Sequence, residues 1–172
     1  MRLLLFSWLL LLSSFVTAQN KDIFDIARKG TLDEINAIYR QNSNLINTVD
    51  ANQYSPLILA CYRGNEDVAL FLIDKVKEIN YNIGQGTALM AAVMAGKISI
   101  IEKLISKKAD PNLADAQGKT ALIYATFFNK NEIAKLLIKA GASLKQKDND
   151  GKTALDFANF NKNTELIILL DY

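Results

Sequence analysis

Hydrophobic and polar positions recur in phase along this chain. The block Thr120-Ala121-Leu122-Ile123-Tyr124-Ala125 appears 33 residues earlier as Thr87-Ala88-Leu89-Met90-Ala91-Ala92 and 33 later as Thr153-Ala154-Leu155-Asp156-Phe157-Ala158. Ser55-Pro56-Leu57-Ile58-Leu59-Ala60 is a fourth copy, 32 residues before Thr87. Polar turns precede three of the four blocks: Asp50-Ala51-Asn52-Gln53, Asp115-Ala116-Gln117-Gly118 and Asp148-Asn149-Asp150-Gly151. Apolar pairs follow them: Leu72-Ile73, Leu104-Ile105, Leu137-Ile138 and Leu169-Leu170. A fixed period of this size denotes stacked units, because one unit cannot bury its apolar faces alone.

Each unit reads as a turn, a short helix and a second helix. Asp bonds its own backbone two residues on, and Gly supplies positive φ in the turn. Thr or Ser55 caps the first helix, and Pro56 fits its first turn. Alanines leave room for close helix packing, and Gly64 and Gly96 close the first helix. Ahead of Asp50 the pattern is weaker. Asp22 to Lys29 predicts a short helix stopping near Gly30. Leu32 to Tyr39 predicts another, with Ile35, Ile38 and Tyr39 inward and Asp33, Glu34, Asn36 and Arg40 outward, as a terminal unit with one wet face requires.

Read in phase, Asp-x-x-Gly-x-Thr-x-Leu-x-x-Ala, a helix, Gly, then Leu-Leu/Ile and Gly-Ala resembles the ankyrin repeat. The resemblance covers residues 19–172 and implies an all-α repeat solenoid with a β-turn or hairpin plus two antiparallel helices per repeat. About five units follow, including caps: 19–49, 50–81, 82–114, 115–147 and 148–172. It also implies a concave side lined by turn fingers and first helices, and a role in binding other proteins. Four departures from the family pattern carry expectations. Its His positions hold Ile58, Met90, Ile123 and Asp156. Its helix-closing Gly becomes Asn129, which tolerates the left-handed conformation, and Lys162, which does so less readily. Its inter-pair Gly becomes Val76 and Lys108, and Val76 predicts a reshaped loop. The stretch Asn80 to Thr87 is one residue short, so the second finger, Ile83-Gly84-Gln85-Gly86, is expected to lack the turn Asp and to be irregular or mobile.

The first eighteen residues form a separate block. Arg2, the apolar run Leu3 to Leu12 and the small-residue end Val16-Thr17-Ala18 predict a cleavable signal peptide, cut after Ala18. The run is shorter than the roughly 20 residues of a membrane span, so no stable membrane insertion is expected after cleavage. This leader, with no Asn-x-Ser/Thr acceptor, favours an exported, periplasmic protein, with secretion as the alternative; a lone Cys forms no internal disulfide, so stability there comes from packing.

Composition narrows the chemistry. Of 172 residues half are hydrophobic and 22% charged, a globular balance, and the net charge of +2 asks for no nucleic acid. There is no His and one Cys, Cys61, which excludes Ser-His-Asp and Cys-His catalysis and leaves no evident metal site or cofactor. Cys61 reads as a buried packing residue. Gly84-Gln85-Gly86 reads as a turn rather than a phosphate cradle. Lys97 to Lys152 holds eleven Lys against six acids, whereas Gln19 to Gly96 holds seven basic and nine acidic residues. The lysines read as a solvated face, with a steering patch for an acidic partner as the alternative.

The candidate partner-binding residues form a column at repeat spacing: Tyr62, Met94, Phe127 and Phe160, joined by Phe128, Arg63 and Tyr54, the last expected at a finger tip. Packing between repeats is the alternative for the column. The leading expectation is a monomeric, non-enzymatic module whose concave face binds an unknown protein partner. In size and leader the chain also resembles exported bacterial ankyrin proteins, some linked to catalase and peroxide resistance. An accessory role in oxidative-stress defence is therefore an alternative. A small-ligand binder or enzyme is a third reading, with no residue pair to support it.

Overall fold

The computed structural model of the chain describes residues 21–82 and 84–171. The expected signal peptide, Ile83 of the second finger and the terminal Tyr172 lie outside them. Helices come in five consecutive pairs among the described residues: α1 (Ile23–Lys29) with α2 (Leu32–Gln41), α3 (Pro56–Arg63) with α4 (Glu66–Ile73), α5 (Ala88–Ala95) with α6 (Ile98–Ser106), α7 (Ala121–Phe127) with α8 (Asn131–Lys139), and α9 (Ala154–Phe160) with α10 (Thr164–Leu170). A 3-10 turn, Ser43–Asn47, follows α2.

The capping chemistry explains the starts. Ser55, Thr87, Thr120 and Thr153 each accept the backbone N–H three residues on, at 3.2–3.3 Å. At Thr153 the side chain of Asp156 reaches back to the Thr153 N–H at 2.8 Å, closing a capping box. Asp156 thus turns a position that is buried and apolar in the three preceding units (Ile58, Met90, Ile123) into a polar cap.

First helices pack on first helices and second on second, more closely in the first row. Alanines account for the difference: Ala60, Ala88, Ala92, Ala121, Ala125, Ala154 and Ala158 are almost fully buried. A stack drawn tighter along one row bends toward it, so the first-helix row is the inner face. The core between the rows is filled by Leu57, Val68, Leu72, Leu89, Ile100, Ile101, Leu104, Leu122, Leu137 and Leu166, each nearly or fully excluded from solvent.

Fingers are fixed by their aspartates. Asp50 Oδ1 accepts the N–H groups of Asn52 and Tyr54, Asp115 Oδ1 those of Gln117 and Lys119, and Asp148 Oδ1 those of Asp150 and Lys152, all at 2.9–3.0 Å. The second finger corrects an expectation. Asn82 stands five residues before Thr87, as Asp115 stands before Thr120, and its Oδ1 accepts the Gly84 N–H at 2.9 Å. The turn acceptor is therefore present as an amide, and the missing residue lies ahead of the finger, between Asn80 and Asn82. This finger is tied to the next: Asn82 Nδ2 donates to the Ala114 carbonyl at 2.8 Å, and the Ala116 N–H to that of Gly84 at 2.9 Å. Its backbone does differ, with positive φ at Gly84 and Gly86 where the other fingers have it at Gln53, Gly118 and Gly151.

Two ladders link successive units. Asn47, Asn80 and Asn112 accept, through Oδ1, the N–H groups of Lys77, Asp110 and Ser143 in the following unit, at 2.7–2.9 Å. On the opposite edge the residue after each helix-closing position reaches back one unit. Asn65 donates to the carbonyls of Ile26, Ala27 and Gly30 at the end of α1. Lys97 crosses Gly64 so closely that a Cβ there would lie 2.7 Å from its Cε. Gly64 thus answers two demands at once, a φ of +66 and a neighbour lying across it. The replacements Asn129, Lys162 and Lys108 all take positive φ, from 54 to 66. Lys162 does so although lysine adopts this conformation less readily than asparagine. Val76 does not, and its N–H joins that of Lys75 on the Leu72 carbonyl, which is the reshaped loop the β-branched side chain predicts.

Candidate functional site

The inner face carries two features that meet at Tyr124. The first is a groove of about 580 Å³ over α3 and α5. It arises from small residues in the third unit. Gly86 lies in register with Tyr54 and Lys119, and Ala91 with Leu59, Tyr124 and Phe157. Two large side chains are missing there while both neighbours keep theirs. Ile58, Leu59, Met90, Ala91 and Met94 form the apolar bed; Tyr54, Tyr62 and Tyr124 stand around it, and Arg28, Arg63, Gln85 and Thr87 complete the lining.

The second feature is an aromatic cluster over α7 and α9. Phe127 meets Phe128 edge-on at 5.0 Å between ring centroids and Phe157 edge-on at 5.7 Å. Phe128 lies parallel to Tyr124 at 6.3 Å. These rings hold one another in place yet stay open to solvent: Phe127 is 46% and Phe128 44% exposed. Contiguous apolar surface of this kind marks an interaction site more often than isolated exposed residues do.

Of the sequence-derived candidates, Tyr54, Tyr62, Arg63 and Met94 come together in the groove, and Phe127 and Phe128 in the cluster. Phe160 stands apart, 81% exposed. Tyr62 is 54% exposed, so most of the column is open to solvent, although Phe127 also meets Phe157 of the next unit and Met94 is half-buried. Tyr54 is not at a finger tip. It follows the turn, half-buried, and its hydroxyl reaches Gln85 Oε1 on the next finger at 3.3 Å. Sequence reasoning missed Arg28, Leu59, Gln85, Ala91 and Tyr124 as parts of one surface. The available signal was the drop in side-chain size at Gly86 and Ala91 against their in-register neighbours.

Electrostatics at the groove are one-sided. Arg28 is bound to Asp50 at 3.0 Å and lies 3.6 Å from Asp25. Asp115 accepts the Tyr124 hydroxyl, and burial first, then this bond, pushes the phenol above its ordinary range. Arg63 makes no ion pair among the described residues. Three lysines of the outer row are paired instead: Lys103 and Lys107 with Asp74, and Lys135 with Glu165 and Glu132, which raise Lys135 to about 12. The second oxygen of Asp148 is buried without a hydrogen bond, 3.9 Å from Lys119 Nζ. Cys61 is fully buried in α3, and burial pushes its thiol far above the reactive range. Among the described residues no three His, Cys, Asp or Glu side chains gather as metal ligands, and no helix is long and apolar enough to cross a membrane.

Comparison with known proteins agrees with the repeat geometry. A family model described as "Ankyrin repeats (3 copies)" matches residues 23–115 and again 89–171. Ankyrin repeat and SAM domain-containing protein 6 of Rattus norvegicus is 36% identical over 101 residues, 58% of this chain. That stretch is 11% of the rat protein's length, so the likeness concerns a run of repeats and not the whole relative.

Proposed function

The chain belongs to the ankyrin-repeat family, and on that premise we propose that it acts as a non-enzymatic interaction module holding a partner protein against its inner face. The observation that carries this reading is the run of exposed aromatic side chains, Tyr62, Phe127, Phe128 and Phe160, along the first-helix row. Large aromatic anchors supply most of the free energy of many interfaces, about 2 kcal/mol or more each. The fold spends its alanines and aliphatics between rows and has no internal use for a phenylalanine that is four-fifths exposed.

The double variant Phe127→Ser with Phe128→Ser tests it. Both rings are about half exposed, so the urea midpoint should fall by much less than the roughly 3–5 kcal/mol of a fully buried phenylalanine. Capture of the native partner should be lost. A collapse of the midpoint would make these residues core, and an unchanged partner would place the interface elsewhere. We further propose that the protein is exported after cleavage at Ala18, on the strength of the basic, apolar and small-residue segments of the leader. N-terminal sequencing of the protein from its native cell should begin at Gln19; Met1 on membrane-bound protein would remove this reading.

A further inference from the structure

The groove at Gly86 and Ala91 has a shape and a charge that narrow what can occupy it. Its bed is methionine and aliphatic, its walls are three tyrosines, and its volume of about 580 Å³ lies inside the roughly 300–1,000 Å³ range of ligand clefts. Methionines adapt to irregular apolar shapes, and tyrosines give apolar contact with a polar edge. Such a cleft takes a bulky apolar side chain together with its adjacent backbone. The carboxylates nearest to it are already used. Asp50 is held by Arg28 and by the N–H groups of Asn52 and Tyr54, and Asp115 by the Tyr124 hydroxyl and those of Gln117 and Lys119. Two arginines line the groove and no acid does; Arg28 is paired with Asp50, and Arg63 makes no ion pair among the described residues.

We propose that this groove receives a short acidic segment of the partner protein, with one bulky apolar side chain seated over Ala91 between Tyr62 and Tyr124 and a carboxylate on Arg63. The inference rests on the interaction-module reading and adds to it the chemistry of what is bound. Arg63 is exposed, so its contribution is screened by salt, whereas the apolar anchor's is not. The groove and the Phe127–Phe128 cluster share Tyr124, so a segment leaving the groove toward α7 continues onto the aromatic rings.

The test is selection of a phage-displayed random dodecapeptide library on the purified protein. Enriched peptides are then synthesised with a fluorescent label and read by anisotropy. The expected set carries a Leu, Met, Phe or Trp flanked by Asp or Glu. Affinity should fall about tenfold or more in Arg63→Glu and in Ala91→Leu, which restores the size found at Leu59. It should weaken with added salt and stay unchanged in Lys139→Glu on the outer row. Arg63→Glu alters an exposed side chain, so it decides the matter even if Ala91→Leu unfolds, which the urea midpoint reports. An empty selection, a set without acidic residues, or binding indifferent to Arg63→Glu overturns the proposal. The broader reading is separable. If the native partner survives Arg63→Glu and Ala91→Leu but is lost with Phe127→Ser and Phe128→Ser, the groove proposal falls and the interaction face stands. If the partner survives all of them, both fall.

Discussion

At positions 129 and 162 an asparagine and a lysine occupy left-handed backbone, φ 54 and 55, that glycine adopts without strain. Conformation alone would rank Asn129→Gly as harmless and Lys162→Gly as the larger gain, since a long side chain is the poorer fit there. The side-chain bonds sharpen that order. Asn163 Nδ2 donates to Asn129 Oδ1 at 2.9 Å as well as to Asn131 Oδ1 at 2.8 Å, so glycine at 129 removes a link between the last two units. Lys162→Gly should stabilise by a few tenths to about 1 kcal/mol, read as a higher urea midpoint, whereas Asn129→Gly should be close to neutral. A second residue-scale test concerns the asparagine ladder. Asn112 accepts the Ser143 N–H at 2.7 Å and donates to the Gly141 carbonyl at 3.0 Å. Asn112→Ala should cost about 1 to 2 kcal/mol, with the loss seen as faster amide exchange at Ser143.

At the scale of the helix, α9 starts on a titrating cap. The Thr153 N–H, then the Thr153 hydroxyl, hold Asp156 below the usual carboxylate range. A depressed folded pKa contributes stability that is present above the unfolded value, about 3.9, and is lost as pH falls through the folded one. The urea midpoint should therefore drop as pH is lowered past about 4. Asp156→Asn, which cannot titrate, should show a shallower drop. An identical slope would mean that the last unit contributes nothing to the acid transition. The helices themselves were legible in the sequence, because capping residue and apolar stripe repeat in phase, with a closing glycine at Gly64 and Gly96, and each copy corroborates the others. Asn82 as the second finger's acceptor was not, since the deletion ahead of it moves the register by one. The groove was not either. Ala60 and Ala92 are small because another helix lies against them, while Ala91 is small beside open space. One residue type serves both purposes, and only the alignment of Ala91 with Leu59 and Tyr124 separates them.

For the molecule as a whole, stability is a sum of unit and interface contributions, with neighbours covering neighbours. Helix α9 covers α7, and α10 covers α8, where Ile133, Ala134 and Leu137 are buried. Deleting Asp148 to Tyr172 uncovers that side and leaves Lys135 without Glu165. The truncated chain should form multimers on size-exclusion chromatography. A soluble monomer with unchanged melting would show that the fifth unit is not docked. The stacked architecture and the aromatic column were readable from spacing, and the family from the resemblance of the in-phase motif. The bend toward the inner face was implied only through the resemblance, because it depends on how unequally the two rows pack.

Cys61, the single thiol, sits fully buried on α3, the helix that packs against both α1 and α5. It is therefore a clock for opening events in the N-terminal half. A chromogenic disulfide reagent reaches it only when α3 lifts from its neighbours, so the labelling rate under native conditions measures the population of that opened form. Compared with the global unfolding equilibrium, the rate tells whether this stack breathes one unit at a time or only all together. Labelling faster than complete unfolding allows, and unaltered by Lys162→Gly at the far end, would mean local release. Labelling that slows in step with that distant stabilisation would mean the five units open as one.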